Sequence, residues 1–386
     1  MKKILMAVTN YYTSPFQVGS HHYARAFEKL GYEVLFISNP ISPIHKIFAN
    51  NEQLAERERI HDLGGEKSGN ITYYVPKTLC TPQNKSLLSS KFVLNNWYKL
   101  SHPNIMKYIK DKGFESVDLL WFDSPMFAFL LDKIEYKHSI LRLADYSKGF
   151  NSVSENQYNA EIEIANRIDT IIYSAKNLKE KYTDIKDKSK MHYVSNGVDL
   201  TFIQAADKSL PEEYKNIPSP IAVYIGALHE WFDVDLMYKT AISLPNYSFV
   251  IIGPVERDLS PLEKLDNVFI LGKIPHKRIA QFLSNADIGI IPFDTKKHKD
   301  LVESINPLKL YEYFACDLPV VSMHWHQLKA LGSPAFLCHS TEEFIDAIKK
   351  AIKDNKIDTV KTFAQSADWA ERLNDVLAIL PKAMYK

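Results

Sequence analysis

The sequence predicts an α/β protein with two doubly wound domains in series, each a mostly parallel sheet with helices on both faces. Strand-like and helix-like segments alternate along the first half of the chain, and the same alternation restarts after residue 220. Between the halves, residues 205–220 (AADKSLPEEYKNIPSP) are polar and contain three prolines, which is typical of a linker. A chain of 386 residues is long enough for two such domains.

The elements follow in order along each half. The strand-like segments of the first half are KILMAVT, EVLFIS, ITYYV, VDLLWF, SILRLAD, DTIIYSA and MHYVSNG, with HHYARAFEKLGY as the first helix. Those of the second half are IAVYIGAL, YSFVIIG, NVFILGKI, DIGIIPF, LPVVSM and AFLCHS, with KRIAQFLSNA, PLKLYEYFAC and TEEFIDAIKKAI as helices. Ligands of such sheets bind beyond the carboxyl ends of the strands, so the predicted active site is the cleft between the two domains.

Composition excludes several classes of function. Lys plus Arg total 47 against 46 Asp plus Glu, so no global positive field attracts nucleic acid. The three cysteines, Cys80, Cys316 and Cys338, lack zinc spacing, and no dinucleotide or P-loop glycine motif follows a strand. The N-terminal apolar run is too short for a signal peptide, and no apolar stretch is long enough to span a membrane. We therefore expect a cytoplasmic protein whose membrane contact, where it has any, is peripheral.

The stretch INPLKLYEYFACDLPVV places a cation at the start of a predicted helix. Asn306 is a favoured N-cap and Pro307 suits the first helical position, so Lys309 falls in the first turn. A lysine there opposes the helix macrodipole by a few tenths of a kcal/mol, because that end already carries about half a positive charge. Two interpretations stay open: a solvated lysine on an ordinary amphipathic helix, or a phosphate site made by the helix end and the lysine.

The first strand-to-helix junction, VGSHHYARAF, is a second candidate. Gly19 allows close backbone approach to a ligand, and the amides that follow it could face the cleft. The alternative is a plain turn glycine with Ser20 as the N-cap. His21 and His22 are adjacent, so on a helix they point about 100° apart and are poorly placed to share one metal ion.

The segment ILRLADYSKGF ends a predicted strand with charged residues close together. Asp145 at the carboxyl end of a strand is well placed to be a general base that takes a proton from a hydroxyl. The alternatives are an ion pair of this aspartate with Arg142 or Lys148, or a helix cap.

Two motifs of the second half carry weaker signals. Backbone groups at Lys273 and Ile274, in the turn from Gly272 to Pro275, could contact the edge of a planar base, although a structural connection of ordinary length is the favoured interpretation. Asp233 and Asp235 form a DxD pair of the kind that holds a divalent ion. Because a helix begins there, an N-cap and a first-turn acid are the favoured interpretation.

Taken together, these motifs resemble those of glycosyltransferases of the GT-B fold. The segments that carry the resemblance are VGSHHYARAFEKLGYEVLFIS, VSNGVD, GKIPHKRIAQFLSNADIGIIPF, PLKLYEYFACDLPVV and ADWAERLNDVL. Within that fold, LRLAD and NPLKLYEYFA are most similar to the bacterial glucuronosyltransferase group that includes the xanthan enzyme and teichuronic-acid biosynthesis proteins. The resemblance implies two Rossmann-like domains facing across a cleft: residues 1–205 for the acceptor and 218–362 for the donor, with a C-terminal helix at about 363–386 packed back on the first.

The resemblance also implies roles for individual residues. Lys309 binds the donor diphosphate, Glu312 accepts a hydrogen bond from a ribose hydroxyl, and Asp145 is the catalytic base. The other expected donor contacts are Ile274 at the base, Lys273, Asn306, Gly226 and Tyr311, and the expected residues on the acceptor side are Gly19, Ser20, His21, Arg142 and Lys148. No metal ion and no cofactor is expected, because the lysine and the helix end neutralise the diphosphate.

Many retaining members of the family that the chain resembles carry two glutamates separated by seven residues. Ser304 stands eight positions before Glu312, and Glu303 is out of register by one. We therefore expect a reaction that inverts the anomeric configuration. The expected reaction transfers a sugar from a UDP-sugar to a hydroxyl of a lipid-linked or polysaccharide acceptor, and the resemblance implies that this sugar is glucuronate. The alternatives are a UDP-sugar 2-epimerase and a catalytically silent nucleotide-sugar-binding subunit.

The segment from Pro76 to Lys112 combines lysines with aromatic residues. It has seven lysines and a single acid, Asp111, and its aromatic residues include Phe92 and Trp97. Basic and aromatic residues on amphipathic helices suit the anionic inner surface of a cell membrane, whereas a solvated helical face is the alternative.

Overall fold

A computed structural model describes residues 1–48, 52–84, 86–353 and 357–384, and the chain divides into two compact units. The first unit is Met1–Ser195 with Leu373–Lys386, and the second is Asn196–Arg372. This division differs from the predicted one, because residues 196–217 and 363–372 belong to the second unit.

The first unit is built on one sheet. Its strands are β1 (Lys3–Val8), β2 (Glu33–Ser38), β3 (Glu66–Ser68), β4 (Ile71–Tyr74), β5 (Ser116–Phe122), β6 (Glu135–Leu143), β7 (Thr170–Tyr173) and β8 (Met191–Tyr193). Within the described residues they lie in the order β3-β4-β2-β1-β5-β6-β7-β8, and every neighbouring pair is parallel except β3 with β4. In the central strands β1 and β5 successive residues are buried on both faces, as expected for a parallel sheet covered by helices.

The helices of this unit follow from the same pattern. They are α1 (Gly19–Lys29), α2 (Pro43–Phe48), α3 (Glu52–Asp62), α4 (Lys91–Asn96), α5 (Ile105–Asp111), α6 (Glu155–Arg167) and α7 (Leu178–Lys181). Helix α1 buries Tyr23, Ala24 and Phe27 at helical spacing, and its C-terminal turn ends at Gly31 with a φ of +84°.

The second unit has a fully parallel sheet. Its strands are β9 (Ile221–Ile225), β10 (Ser248–Ile252), β11 (Val268–Gly272), β12 (Ile288–Ile291), β13 (Val320–Met323) and β14 (Phe336–Cys338), in the order β11-β10-β9-β12-β13-β14. The helices that begin in it are α8 (Leu200–Ala205), α9 (Val234–Ser243), α10 (Ile279–Leu283), α11 (Lys299–Val302), α12 (Leu308–Ala315), α13 (His326–Ala330), α14 (Thr341–Lys353), α15 (Ile357–Gln365) and α16 (Trp369–Ile379). Two doubly wound sheets confirm the predicted fold class.

Backbone contacts explain why the second unit is larger than predicted. The amide of Val198 donates to the carbonyl of Ala367 (2.9 Å), and the amide of Trp369 donates to the carbonyl of Val198 (3.0 Å). Tyr214, inside the predicted linker, is buried in the hydrophobic core of the second unit. The segment at 205–220 is therefore part of that unit.

Each sheet has one position where the direction of chain winding reverses. In the first sheet this switch point lies between β1 and β5, and in the second it lies between β9 and β12. Open α/β sheets bind ligands at the carboxyl ends of the strands at such points. In the described part of the chain, no helix is both long and apolar enough to cross a membrane.

Candidate functional site

The switch point of the first sheet opens into a cavity of about 400 Å³. Residues that follow β1, β5 and β6 line it, together with the start of α1 and one side of α6. The titratable side chains in its lining are His21, Asp123, Arg142, Asp145 and Glu161. Three carboxylates therefore share one cavity with one guanidinium.

Asp123 is fixed at the end of β5. Its amide donates to the carbonyl of Ala7 (2.8 Å), and its carboxylate accepts from the Ser20 hydroxyl and from Arg142 Nη1 (3.4 Å). Burial raises the pKa of Asp123 to about 6, with Arg142 opposing the shift and Asp145 adding to it.

Asp145 follows β6 and differs from its neighbours in its hydrogen bonds. Burial raises its pKa to about 6, and Arg142 opposes that shift. Within the described residues its carboxylate accepts no hydrogen bond, whereas the carboxylate of Asp123 accepts two. Asp145 can therefore accept a hydrogen bond from a hydroxyl that enters the cavity, and a pKa near 6 suits a general base at neutral pH.

Glu161, on α6, is the third carboxylate. Its Oε2 accepts from Ser147 Oγ (2.5 Å) and from Tyr182 Oη (2.8 Å). Burial raises its pKa to about 7, the two hydroxyls oppose that shift, and Asp123 adds to it. Neither Asp123 nor Glu161 was among the residues predicted for the site. The position of Asp123 directly after the strand VDLLWF was a usable signal, but nothing marks Glu161 among the other polar residues of its helix.

The start of α1 contradicts the alternative in which Ser20 is the N-cap. The N-cap residue is Val18, and the hydroxyl of Ser20 donates to Asp123 instead of capping the helix. A Cβ added at Gly19 would lie 2.6 Å from the guanidinium of Arg142, so the close approach at this glycine is to that side chain. Arg142 is thus held between α1 and Asp123.

Of the remaining predicted residues of the first unit, His21 lines the cavity and Lys148 does not. His21 Nε2 contacts the carbonyl of Tyr11 (3.0 Å), while His22 contacts Arg25, so the two imidazoles diverge as expected. Lys148 is exposed, pairs with Glu155 (3.8 Å) and is not part of the cavity lining.

In the second unit, α12 begins at Leu308, one residue later than predicted. The N-cap residue is Pro307, and Asn306 is not the cap. Its Oδ1 accepts from Tyr311 Oη (2.8 Å), and its carbonyl accepts from the side chain of Asn196 (2.8 Å). Asn306 and Tyr311 therefore brace the loop that leads into the helix.

Lys309 lies in the first turn of α12, which contains no acidic residue. Its Nζ donates to Tyr224 Oη (2.9 Å) and lies against the backbone of Gly226, where an added Cβ would be 2.6 Å from Nζ. Gly226 has a φ of +155°, a conformation that favours glycine. Burial lowers the pKa of Lys309 to about 7, and Glu312 partly opposes this shift.

The loops after β9, β10 and β11 meet beside this lysine. The amide of Gly226 donates to the carbonyl of Ile252 (2.9 Å), and the amide of Gly253 donates to the carbonyl of Gly272 (2.8 Å). Beyond Gly272, Lys273 is exposed, while Ile274 is half-buried against the core. His276 Nε2, one turn further on, lies 3.6 Å from Glu312 Oε1 and so connects this loop with α12.

Both aspartates of the DxD pair have partners on α9. Asp233 Oδ1 accepts from the amide of Leu236 (2.9 Å), which confirms that it caps α9, and Asp235 pairs with Lys239 (2.6 Å). Across residues 1–48, 52–84, 86–353 and 357–384, no group of three or more His, Cys, Asp or Glu side chains is arranged to hold a metal ion.

Two protein families match successive parts of the chain. Residues 6–174 match the N-terminal domain of the glucuronosyltransferase GumK, and residues 219–354 match the glycosyl transferases group 1. A Bacillus subtilis protein with the provisional name teichuronic acid biosynthesis glycosyltransferase TuaH is 28% identical over 279 residues, which are 65% of this chain and 68% of that protein. The chain is a glycosyltransferase.

This glycosyltransferase has the GT-B fold, as its solved structural relatives show. Sucrose-phosphate synthase from Thermosynechococcus elongatus superposes with a TM-score of 0.66 at 14% identity, over 100% of this chain and 96% of that one. Anabaena HepE, solved in complex with UDP and glucose, superposes with a TM-score of 0.65 at 15% identity, over 98% of this chain and all of that one.

Within each unit of the glycosyltransferase, the predicted residues fall into one group. In the first unit Gly19, Ser20, His21, Arg142 and Asp145 gather at the β1/β5 switch point, and Lys148 stays outside the cavity lining. In the second unit Gly226, Lys309 and Glu312 gather with the loop at 272–276 at the β9/β12 switch point.

Proposed function

We propose that this glycosyltransferase moves a sugar from a UDP-sugar to a hydroxyl of a lipid-linked or polysaccharide acceptor. The observation that carries the proposal is the position of Lys309, in the first turn of α12 and against the side-chain-free backbone of Gly226. Anabaena HepE, of the same fold, was solved with UDP and with UDP-glucose. The match of residues 6–174 to a glucuronosyltransferase domain supports glucuronate as the sugar.

The donor diphosphate binds at the N-terminus of α12 in this proposal. That end offers unpaired amides and about half a positive charge, and Lys309 adds a full charge close by. Glu312 accepts from a ribose hydroxyl, and Lys273 and Ile274 contact the base. No metal ion is required, because these groups neutralise the diphosphate and Asp233 and Asp235 are engaged in capping and pairing.

Asp145 serves as the general base. Its carboxylate takes the proton of the acceptor hydroxyl while that oxygen forms a bond to the anomeric carbon. The bond from the anomeric carbon to the diphosphate oxygen breaks, and UDP leaves with its new negative charge stabilised by Lys309 and the amides of α12. This single displacement inverts the anomeric configuration.

The absence of a glutamate in register with Glu312 also supports inversion. Glu303, one residue from the position of a paired glutamate, binds the amide (3.0 Å) and the Nδ1 (2.9 Å) of His326. Its carboxylate is thus used to anchor the start of α13, and Ser304 occupies the position in register with Glu312.

The test is product analysis by NMR with UDP-glucuronate, UDP-glucose and a glycolipid acceptor, in the presence and absence of EDTA. The proposal predicts glucuronate transfer with inverted configuration that EDTA does not affect. Retained configuration contradicts the single displacement, and activity lost in EDTA and restored by manganese contradicts the metal-free site. Conversion of the UDP-sugar without acceptor would identify an epimerase, and UDP binding without any turnover would identify a silent subunit.

The acceptor side extends the proposal to a membrane surface. Leu79, Phe92 and Leu100 are 71%, 76% and 47% exposed, and Lys91 and Lys99 are exposed on the same segment. Lys85, counted in the prediction, lies outside the described residues. Exposed apolar side chains and exposed lysines on one segment suit an anionic lipid surface that carries a lipid-linked acceptor.

Sedimentation with phosphatidylglycerol vesicles at low salt tests this extension. We expect binding to those vesicles, weaker binding to phosphatidylcholine vesicles, and loss of binding in Phe92→Ser. Equal binding to both kinds of vesicle, together with equal binding by the wild type and Phe92→Ser, would contradict a membrane role for the segment.

A further inference from the structure

We propose that Tyr224 and Phe293 are positioning residues for Lys309, holding its ammonium group at the backbone of Gly226 where the donor diphosphate binds. The inference rests on the proposed donor site and adds to it the two side chains that give the site its geometry.

The two rings come from the two strands that flank the switch point of the second sheet. Tyr224 lies in β9, and Phe293 follows β12 by two residues. Lys309 Nζ lies 4.3 Å from the centroid of the Tyr224 ring and 4.6 Å from that of the Phe293 ring. Both distances are within the range in which an aromatic face attracts a cation.

The hydroxyl of Tyr224 fixes where the ammonium group sits. Its single proton is donated to the carbonyl of Ala227 (2.9 Å), so its oxygen is left to accept from Lys309 Nζ (2.9 Å). A Cβ at Gly226 would lie 2.6 Å from Nζ and 3.1 Å from this hydroxyl oxygen. The glycine therefore leaves the space that the tyrosine and the lysine use.

The rings are themselves held in place. Tyr224 packs edge-on against Phe232 (4.8 Å), and Phe293 stacks on Trp325 (5.6 Å). The indole Nε1 of Trp325 donates to the carbonyl of Ile305 (3.0 Å), three residues before α12 begins. All four rings are buried, so neither Tyr224 nor Phe293 can turn away from the lysine without a rearrangement of the core.

Aromatic rings suit this task because they hold a cation without neutralising it. Among the described residues no carboxylate lies within ion-pair distance of Lys309, and the acid that influences it is Glu312 on the same helix. Tyr224 is neutral, since burial raises its pKa well above the usual value. Burial lowers the pKa of Lys309, whereas the ring faces and the hydroxyl oxygen favour its charged form. At and below about pH 7 the charge thus remains available for a diphosphate.

Calorimetric titration with uridine, UMP and UDP separates positioning from a merely structural role. We expect Tyr224→Phe and Phe293→Leu each to weaken UDP binding about 5- to 20-fold, because the first removes the hydroxyl that accepts from Lys309 and the second removes a cation–π contact with it. The effect on UMP should be smaller, and uridine should bind as it does to the wild type. Tyr247→Phe removes a hydroxyl from a half-buried tyrosine of the same unit and serves as the matched control.

A pH series with UDP-glucose gives a second readout. Its diphosphate is esterified at both ends and lacks the terminal phosphate group that titrates near pH 6. Because the ammonium form of Lys309 binds, affinity should fall as pH rises above about 7, and in Tyr224→Phe this fall should begin at a lower pH.

Each outcome separates this inference from the proposed function. Unchanged UDP affinity and pH profile in Tyr224→Phe would overturn the positioning role while leaving the donor site intact. Equal weakening of uridine, UMP and UDP would also overturn it, because a general structural defect acts on all three. Failure of the wild type to bind UDP would contradict the proposed function itself.

Discussion

The two units place opposite charges at the same topological position. At the switch point of the first sheet, three carboxylates and Arg142 line one cavity, and Asp123 accepts from Arg142. At that of the second, one lysine sits between two aromatic rings. Burial is the main cause of the pKa shifts in both places, and it moves the carboxyls up to about 6 or 7 and the lysine down to about 7.

This difference teaches how one fold can serve two chemical tasks. A buried carboxyl with a pKa near 6 can take a proton at neutral pH, and a buried ammonium group can stabilise a departing diphosphate. In the first unit Asp123 and Asp145 follow strands and Glu161 lies on α6, whereas in the second unit Lys309 lies on α12.

The largest expected effect comes from Asp145. Asp145→Asn removes the proposed base without changing shape, so kcat should fall about 10²- to 10⁴-fold while UDP affinity stays unchanged. Turnover assays and calorimetry measure the two quantities. Asp123→Asn is the matched comparison, because its carboxylate already accepts from Ser20 and Arg142. If Asp123→Asn abolished turnover and Asp145→Asn did not, the base would be Asp123.

The pH dependence of kcat/KM probes both sites at once. Asp145 must be ionised, so the rate should rise tenfold per pH unit up to about pH 6. Lys309 must be protonated, so the rate should decline as pH rises above about 7. A UDP-sugar substrate is suitable, because its diphosphate does not titrate in this range. In the residual activity of Asp145→Asn, the rise of kcat/KM up to about pH 6 should disappear. If the rise is unchanged in this variant, another group causes it.

Glu161 offers a test on stability. Burial raises its pKa from 4.5 to about 7, so the folded state holds this proton more tightly than the unfolded chain. Its contribution to stability is fully present below about pH 4.5 and is lost as pH rises through about 7. Glu161→Gln keeps an oxygen that can accept from Ser147 and Tyr182 but cannot ionise. At pH 8 the free energy of unfolding of Glu161→Gln should exceed that of the wild type by about 1–3 kcal/mol.

Urea unfolding at pH 8 and at pH 4.5 measures this difference. The advantage of the variant should shrink at the lower pH, where the wild-type glutamate is itself protonated. The same difference at both pH values would show that ionisation of Glu161 is not its cause.

The smallest effects are expected at the DxD pair. Asp233→Ala should lower the free energy of unfolding by about 1 kcal/mol, because it removes the N-cap of α9. Asp235→Ala, which breaks one exposed pair with Lys239, should cost a few tenths of a kcal/mol. Neither should alter turnover or its response to EDTA, and a large loss of turnover in either variant would favour a metal site.

Local sequence patterns predicted much of this architecture. The strand and helix order and the lysine at the start of α12 followed from periodicity and cap residues. The helix began one residue late because the side chain of Asn306 accepts from Tyr311, a contact that no cap rule includes. Likewise, Ser20 bonds with Asp123, which lies 103 residues further along the chain.

The features that the sequence did not predict depend on contacts between residues far apart in the chain. The sheet order brings β5 beside β1, and so places Asp123 in the cavity, but strand order is not written in any local segment. The unit boundary moved for the same reason, since Val198 pairs with residues 367–369 at the far end of the second unit. Lys309 and Tyr224 also meet across 85 residues, so the sequence showed the lysine but not what holds it.

The most direct test of the account is calorimetric titration with UDP of the wild type, Lys309→Ala, Asp145→Asn and Lys264→Ala. The last removes an exposed lysine of the same unit and controls for charge. We predict that Lys309→Ala weakens UDP binding about 10- to 100-fold, the value of a charge-assisted contact, while the other two variants bind as the wild type does. Wild-type affinity in Lys309→Ala, or no UDP binding by any of the four proteins, would contradict the donor site.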